Sequence, residues 1–303
     1  AGEFESVKRV AGTSAGAITA SFLAVGYSAQ EIQTIIYNTD FGEFNDGEHF
    51  FVGGTQRLIE SYGWYRGEAF SNWLESHLAR KTGIKNITFS QLHQKRLTHD
   101  FLDLYVCATS LTKQRPEVFS FETYPNMKVA DAVRISMSVP FWFQAVGIDG
   151  SGNIVDQSSW DSTTNLVIDG GLLSNFPIGI FDEPQFSHGP SVEAFDEDWK
   201  NSHTLGFRLD SEEQIEHDIE GNGLAPQNIE NIEDFTVALY LMVIENLNRQ
   251  QLDEEDWTRS VSIDTCGIGP KVKSLSPKEK DALINAGKKG LLSFLDPLEP
   301  GVR

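Results

Sequence analysis

The stretch that decides the fold is Val7-Lys-Arg-Val-Ala-Gly-Thr-Ser-Ala-Gly-Ala-Ile-Thr19. Its valines favour a short β-strand, and the small residues after them predict a sharp turn into a helix. Gly12 and Gly16 flank Ser14 in a G-x-S-x-G pattern. We expect both glycines to remove a Cβ where the chain passes close to itself, so that Ser14 projects from the turn. At a helix N-terminus, backbone N–H groups favour negative charge beside the hydroxyl.

Ser14 alone fits two interpretations, a small-residue turn that packs a helix on a sheet and a catalytic nucleophile. A second motif, Val167-Ile-Asp-Gly-Gly-Leu-Leu-Ser-Asn-Phe-Pro177, brings Asp169 from an apolar run into a turn at Gly170 and Gly171. Ordinary turns at strand ends also have this pattern. An aspartate placed there can instead act as a base toward Ser14.

Together the two motifs resemble the patatin-like phospholipases, in which a serine in G-x-S-x-G and an aspartate in D-G-[GA] form a dyad without histidine. Ala130-Asp-Ala-Val-Arg-Ile-Ser-Met-Ser-Val-Pro-Phe141 is similar to the family's helix that ends in a small-x-Ser-x-Pro segment. Leu104-Tyr-Val-Cys-Ala-Thr-Ser-Leu-Thr112 is similar to its central strand. The resemblance implies that Ser14 is the nucleophile of a lipid acyl hydrolase of phospholipase A type. It also implies that Asp169 is the general base and acid.

The family carries a G-G-x-[RK]-G loop ahead of the serine as its oxyanion hole, and no such loop occurs in this sequence. The first six residues resemble the end of the helix that follows that loop. We therefore expect the sequence to begin inside the catalytic domain and to show little activity as a fragment. Ala15 offers a backbone N–H that could serve the oxyanion.

Strands that alternate with helices predict an α/β fold, with a mainly parallel central sheet in a three-layer α/β/α arrangement. We expect residues 1–303 to form a single domain of the patatin-like type. Acidic insertions are expected at about 182–201 and 211–231, at the surface and away from Ser14, because dense charge is costly to bury without paired cations.

The charge balance excludes several partners. The sequence has 44 Asp and Glu against 24 Lys and Arg, a net charge of −20, which argues against nucleic acid and against electrostatic docking on an anionic membrane. No apolar run reaches the ~20 residues of a membrane span, so we do not expect an integral membrane protein. No cluster of Cys, His and carboxylates has the spacing of a metal site, and we expect no cofactor.

The resemblance also bears on partners and location. It implies a phospholipid or another acyl-ester lipid as substrate, with transient contact to a membrane surface. Some bacterial members of the family are secreted into host cells and need a host protein for activity. A protein activator is therefore one expectation, and a location in the cytoplasm or in a host cell is another.

Two alternatives remain open at this point. A Ser-His-Asp triad of the α/β-hydrolase kind would need a histidine after Asp169, which leaves His188, His203 and His217. All three occur in acidic, irregular sequence, so we interpret them as surface histidines. The second alternative is a patatin-like module that binds a protein partner and has weak or lost catalysis.

Overall fold

The described residues form two compact units. The structure is a computed structural model that describes residues 7–44, 62–187, 199–249, 252–269 and 274–295. The first unit runs to Asn175 and includes Ser274, and the second begins at Phe176. That residues 1–303 act as a single catalytic domain stays a prediction.

The first unit contains eight of the described strands and six of the α-helices. Its strands are β1 (Arg9–Thr13), β2 (Gly63–Tyr65), β3 (Asp103–Ser110), β4 (Arg115–Phe119), β5 (Phe141–Phe143), β6 (Val146–Ile148), β7 (Ile154–Val155) and β8 (Asn165–Asp169). Its helices are α1 (Ala15–Ala24), α2 (Ala29–Asn38), α3 (Glu68–Thr82), α4 (Phe89–Lys95), α5 (Val129–Ser136) and α6 (Gly171–Ser174). The strand, turn and helix predicted around Ser14 are confirmed.

Strand β3 is buried along its whole length, as expected of a central strand covered on both faces. Successive side chains of a strand point to opposite faces. Leu104, Val106 and Ala108 belong to the main hydrophobic core, together with side chains of α1, α3 and α5. The core therefore lies between this face of the sheet and those helices.

The sheet is mixed, which differs from the mainly parallel sheet expected. It has six strands, and β1 pairs with β3 in parallel. Strands β4 and β8 pair with β3 in the antiparallel sense, as β6 does with β8 and β7 with β6. Buried apolar runs such as β3 do not encode the direction of their neighbours, so local patterns predicted the α/β class but not the pairing.

Strands β1 and β8 share one edge of β3, and their carboxyl ends meet there. Residues 106 and 107 of β3 pair with both β1 and β4, so these two strands lie on opposite edges. Residues 108–110 pair with both β4 and β8, which puts β8 on the edge of β1. Thr13 ends β1 opposite Cys107, and Asp169 ends β8 opposite Ala108. This topology brings the two sequence motifs together.

The second unit is built on a parallel pair of strands. Its elements are α7 (Pro184–Ser187), β9 (Gly206–Asp210), α8 (Glu212–Glu220), α9 (Ile232–Arg249), α10 (Glu254–Thr258), β10 (Ser260–Asp264) and α11 (Pro277–Leu295). The sequence patterns predict strands at residues 204–209 and 259–264 and long helices at about 234–252 and 276–295, and all four are confirmed within a few residues.

The acidic stretches are less uniformly exposed than expected. Asp182, in the first stretch, is nearly buried and forms an ion pair with Arg259. In the second stretch, α8 exposes most of its carboxylates, but Asp218 pairs with Arg249. Cations distant in the sequence make this burial tolerable. Residues 188–198 lie outside the described residues, and the separation of both stretches from Ser14 stays a prediction.

Candidate active site

Ser14 lies in the turn between β1 and α1, in a backbone conformation that is rare for a non-glycine residue. Its φ is 52° and its ψ is −124°. Such a conformation costs about 1–3 kcal/mol and persists where the surrounding structure imposes it. The residue is half-buried, whereas Ala15 and Gly16 after it are exposed. The Ser14 side chain therefore projects at the accessible start of α1.

The two glycines of the pattern have different reasons to be glycine. A Cβ on Gly12 would lie 2.4 Å from the carbonyl oxygen of Gly16, so a side chain is excluded there. A Cβ on Gly16 would meet nothing within 4 Å. The expectation that a side chain is excluded at both positions is therefore wrong for Gly16. Of the two, Gly12 is the position where the backbone passes too close for a Cβ.

Asp169 is the last residue of β8 and is 2% exposed. Its backbone N–H donates to the carbonyl of Ser138 (3.0 Å), and its Oδ1 accepts the N–H of Gly171 (2.6 Å). The other oxygen, Oδ2, is buried and has no hydrogen bond of regular geometry. One oxygen of the carboxyl is thus held by a hydrogen bond, and the other has no hydrogen bond of this kind.

Burial raises the pKa of Asp169 to about 7, because a carboxylate without water is poorly solvated. The Ser14 hydroxyl and the Gly171 N–H oppose this shift, since each favours the ionised form. The serine hydroxyl thus influences the carboxyl, although Asp169 Oδ2 has no hydrogen bond of regular geometry. Catalytic contacts are often loose without substrate.

The glycine turn after Asp169 packs against the end of β1. A Cβ on Gly170 would lie 2.4 Å from the carbonyl oxygen of Cys107 and 2.9 Å from Cγ2 of Thr13. The hydroxyl of Thr13 in turn donates to the carbonyl of Ser174, at the end of α6 (2.6 Å). Packing and a hydrogen bond therefore join Thr13, the residue before Ser14, to the segment that follows Asp169.

Sequence reasoning gave no role to the end of α5, which contacts both motifs. Ser136 accepts the backbone N–H of Ser14 (2.9 Å), and the carbonyl of Ser138 accepts the N–H of Asp169. The small-x-Ser-x-Pro pattern was the available signal, but a pattern of small residues does not state which backbone groups its hydroxyls will meet.

The remaining predictions can be placed only in part. Ala15 begins α1 beside Ser14, as an oxyanion donor would require. Among the described residues, no histidine bonds the Asp169 carboxyl, and no group of three or more His, Cys, Asp and Glu could hold a metal ion. His203 is exposed and His217 is partly buried, whereas His188 lies outside the described residues. Within that same described part, no helix is long and apolar enough to cross a membrane.

Comparison with known proteins identifies the family of the chain. Residues 1–182 match the family described as patatin-like phospholipase. R571 of Acanthamoeba polyphaga mimivirus is 32% identical over 178 residues, which are 59% of this chain and 52% of that protein. "Probable lipid hydrolase 463L" of Invertebrate iridescent virus 6 is 27% identical over 169 residues, 56% of this chain and 51% of that protein. The chain thus spans about half the length of these relatives.

The fold is also found in a solved structure. VipD from Legionella pneumophila aligns with a TM-score of 0.59 at 16% identity, covering 97% of this chain and 62% of VipD. At that identity the likeness concerns the fold alone. Since the family match extends over more than half of the sequence, the chain belongs to the patatin-like phospholipase family.

Proposed function

We propose that the protein is a lipid acyl hydrolase of phospholipase A type, which cleaves acyl esters with Ser14 and Asp169. One observation carries the proposal: a buried carboxyl, whose pKa is raised to about 7, ends β8 at the edge of β3 where β1 leads into the strained turn at Ser14. A carboxylate of ordinary pKa, near ~3.9, is a weak base at neutral pH, whereas a desolvated one is stronger.

In the proposed reaction Asp169 accepts and returns a proton in each of two halves. Ser14 Oγ attacks the ester carbonyl carbon while Asp169 Oδ2 accepts the hydroxyl proton. The C–O bond to the leaving alcohol breaks, Asp169 returns the proton to that oxygen, and an acyl-serine remains. Water then attacks the acyl carbon while Asp169 takes one of its protons. The bond from the acyl carbon to Ser14 Oγ breaks, Asp169 gives that proton to Oγ, and the fatty acid leaves.

The oxyanion needs backbone donors. The N–H of Ser14 is already bonded to Ser136, so we assign a donor role to the N–H of Ala15, which is exposed beside Ser14. The elbow glycines and the turn at Gly170 and Gly171 then support the two reacting residues without touching substrate. A phospholipid or other acyl-ester lipid, transient contact with a membrane surface and a protein activator remain the partners we expect.

The test is phospholipid hydrolysis by the protein in its full natural length, with and without cell extract. Ser14→Ala and Asp169→Asn should each lower the rate by at least about 1,000-fold. The double variant should be little worse than either single one, because nucleophile and base act in one step. Circular dichroism establishes that each variant is folded.

Matched controls separate the dyad from its alternatives. Asp161→Asn changes an exposed aspartate in another turn. His188→Ala, His203→Ala and His217→Ala test the triad, and all four variants should stay within a few-fold of wild type. A Ser14→Ala protein with the wild-type rate would end the proposal. So would a histidine variant as inactive as Asp169→Asn. No turnover by the wild type under either condition would favour the protein-binding module.

A further inference from the structure

Ser136 makes two hydrogen bonds that join α5 to the turn at Ser14. Its hydroxyl donates to the carbonyl oxygen of Cys107 (2.6 Å) and accepts the backbone N–H of Ser14 (2.9 Å). The side chain is fully buried. Donation to Cys107 fixes the direction of the O–H bond, which leaves a lone pair of the oxygen directed at Ser14.

These bonds act where the backbone most needs support. The backbone of Ser14 has φ 52° and ψ −124°. Its N–H donates to Ser136, and its carbonyl accepts the N–H of Ala17 (2.9 Å). The carbonyl oxygen of Cys107 accepts the hydrogen bond from Ser136. Cys107 lies opposite Thr13 in the sheet, and its carbonyl packs against the turn at Gly170. Ser136 is therefore bonded both to the strand beneath the site and to the turn that carries Ser14.

The same end of α5 fixes Asp169. Two residues after Ser136, the Ser138 carbonyl accepts the Asp169 N–H (3.0 Å). Arg134 holds Ser138 in place, because its guanidinium bonds the Ser138 hydroxyl and that hydroxyl donates back to the Arg134 carbonyl (3.0 Å). One short segment thus contacts the backbone of both reacting residues.

We propose that Ser136 is a positioning residue, whose hydroxyl holds the Ser14 backbone at the distance and angle that lets Ser14 react with Asp169 as base. The proposal rests on the function proposed above. Ser136 has no role as a second nucleophile, since it is buried and its proton is committed to Cys107. The Ser14 N–H is already used in its hydrogen bond to Ser136. The oxyanion donor is therefore assigned to an N–H further along α1.

Ser136→Ala tests this role, with Ser136→Cys as a variant that keeps an atom at the γ position, a larger sulfur that is a weak hydrogen-bonding group. We expect both to lose about 10- to 100-fold in kcat, with KM changed less than about twofold, because misplacement of a reacting group by ~1 Å costs about that much. Ser21→Ala is the matched control. Ser21 is also fully buried and donates to a carbonyl (Ile18, 2.7 Å), but it bonds nothing at the site, so kcat should not change.

Two further readouts separate positioning from loss of stability. The Ser14 hydroxyl lowers the pKa of Asp169, so a displaced Ser14 should move the acidic limb of the kcat/KM profile to higher pH in Ser136→Ala. The Ser14 amide should exchange its hydrogen faster in both Ser136 variants and at the wild-type rate in Ser21→Ala.

The outcomes are distinguishable. Wild-type kcat in both Ser136 variants, or an unchanged Ser14 amide exchange rate, would overturn the positioning role. Ser136→Ala removes a single buried atom and Ser136→Cys replaces it with a larger one, so melting curves identify the folded variant in which kcat and amide exchange are compared. If the wild type hydrolyses no phospholipid, the proposed function fails, and the exchange rates still decide whether Ser136 holds the Ser14 backbone.

Discussion

At the scale of single residues, Asp169 connects burial with reactivity. In the proposed reaction its carboxyl must be ionised to accept the Ser14 proton, and burial raises its pKa to about 7. We expect kcat/KM to rise with pH and to level off above a midpoint near 7, well above the ~3.9 of an ordinary aspartate. The measurement is the initial rate on a soluble ester from about pH 5 to about pH 9, roughly two units on either side of that midpoint. A midpoint below about pH 5 would contradict the desolvated carboxyl.

The same shift predicts a cost in stability. Because the folded-state pKa of Asp169 exceeds the unfolded value, the folded protein holds a proton that the unfolded chain releases between about pH 4 and 7. The Asp169 contribution to the free energy of unfolding therefore decreases as pH rises through that window, and the cost is full above it. A neutral amide at this position carries no such cost, so Asp169→Asn should unfold at a higher temperature than wild type at about pH 8.

The same comparison of Asp169→Asn with wild type at low pH serves as the control. At about pH 4 the wild-type carboxyl is protonated and close to the amide in size and charge, so the two proteins should differ little. Calorimetric melting curves at several pH values measure the difference. A gap between the two melting temperatures that is constant from about pH 4 to 8 would show that Asp169 does not titrate in this window.

The two elbow glycines lead to a further prediction. Gly12→Ala places a methyl group against the Gly16 carbonyl, 2.4 Å away, and should destabilise the protein by about 3 kcal/mol or more. Gly16→Ala adds a methyl in open space within the first turn of α1, where alanine is the better helix former, so its stability should equal or exceed that of wild type. Denaturant unfolding compares the two; equal losses would contradict the steric explanation.

At the scale of elements, the ion pairs of the second unit hold α10 and β10. Arg259, at the junction of these elements, bonds Asp182 through both terminal nitrogens and Asp256 through Nη2 (2.6 Å), and all three side chains are largely buried. Arg259→Met removes this cation from Asp182 and leaves Asp256 with Lys200 as its remaining ion-pair partner (3.1 Å). We expect a loss of about 3–5 kcal/mol in the free energy of unfolding.

A surface ion pair provides the comparison for that variant. Lys81 and Glu31 lie 2.9 Å apart with both side chains substantially exposed. Lys81→Met should change stability by less than about 1 kcal/mol, because exposed pairs gain little over hydration. Urea midpoints measure both variants. A similar effect of the two substitutions would show that burial does not set the strength of the Arg259 pairs.

At the scale of the whole molecule, the net charge of −20 constrains how a lipid surface is approached. At low ionic strength an anionic vesicle repels the protein, so we expect slower hydrolysis of a reporter phospholipid in anionic vesicles than in zwitterionic ones. Salt should narrow this difference, since the Debye length falls from about 30 Å at 0.01 M to about 8 Å at 0.15 M. Faster turnover on anionic vesicles at low salt would point to a local basic surface or a bound cation.

Much of the site was predictable because its motifs are local. G-x-S-x-G before a helix and an aspartate that ends an apolar run each express short-range constraints on the backbone, and they identified Ser14 and Asp169 as residues to consider together. The starts of α2 and α4 are local in the same sense, because Ser28 and Thr88 each form a capping box with the residue three positions later. Membership of the α/β class followed from the alternation of helices with strands.

Only the tertiary structure decided how these parts meet. Strand direction is not written in a buried apolar run, so the mixed sheet and the shared edge of β3, where Thr13 and Asp169 arrive from opposite directions, could not be inferred from patterns. The pKa of Asp169 depends on water excluded by residues far away in sequence, and the role of Ser136 depends on a bond across 122 positions. Local sequence specifies backbone conformation, whereas desolvation and long-range hydrogen bonds arise only once distant segments have packed.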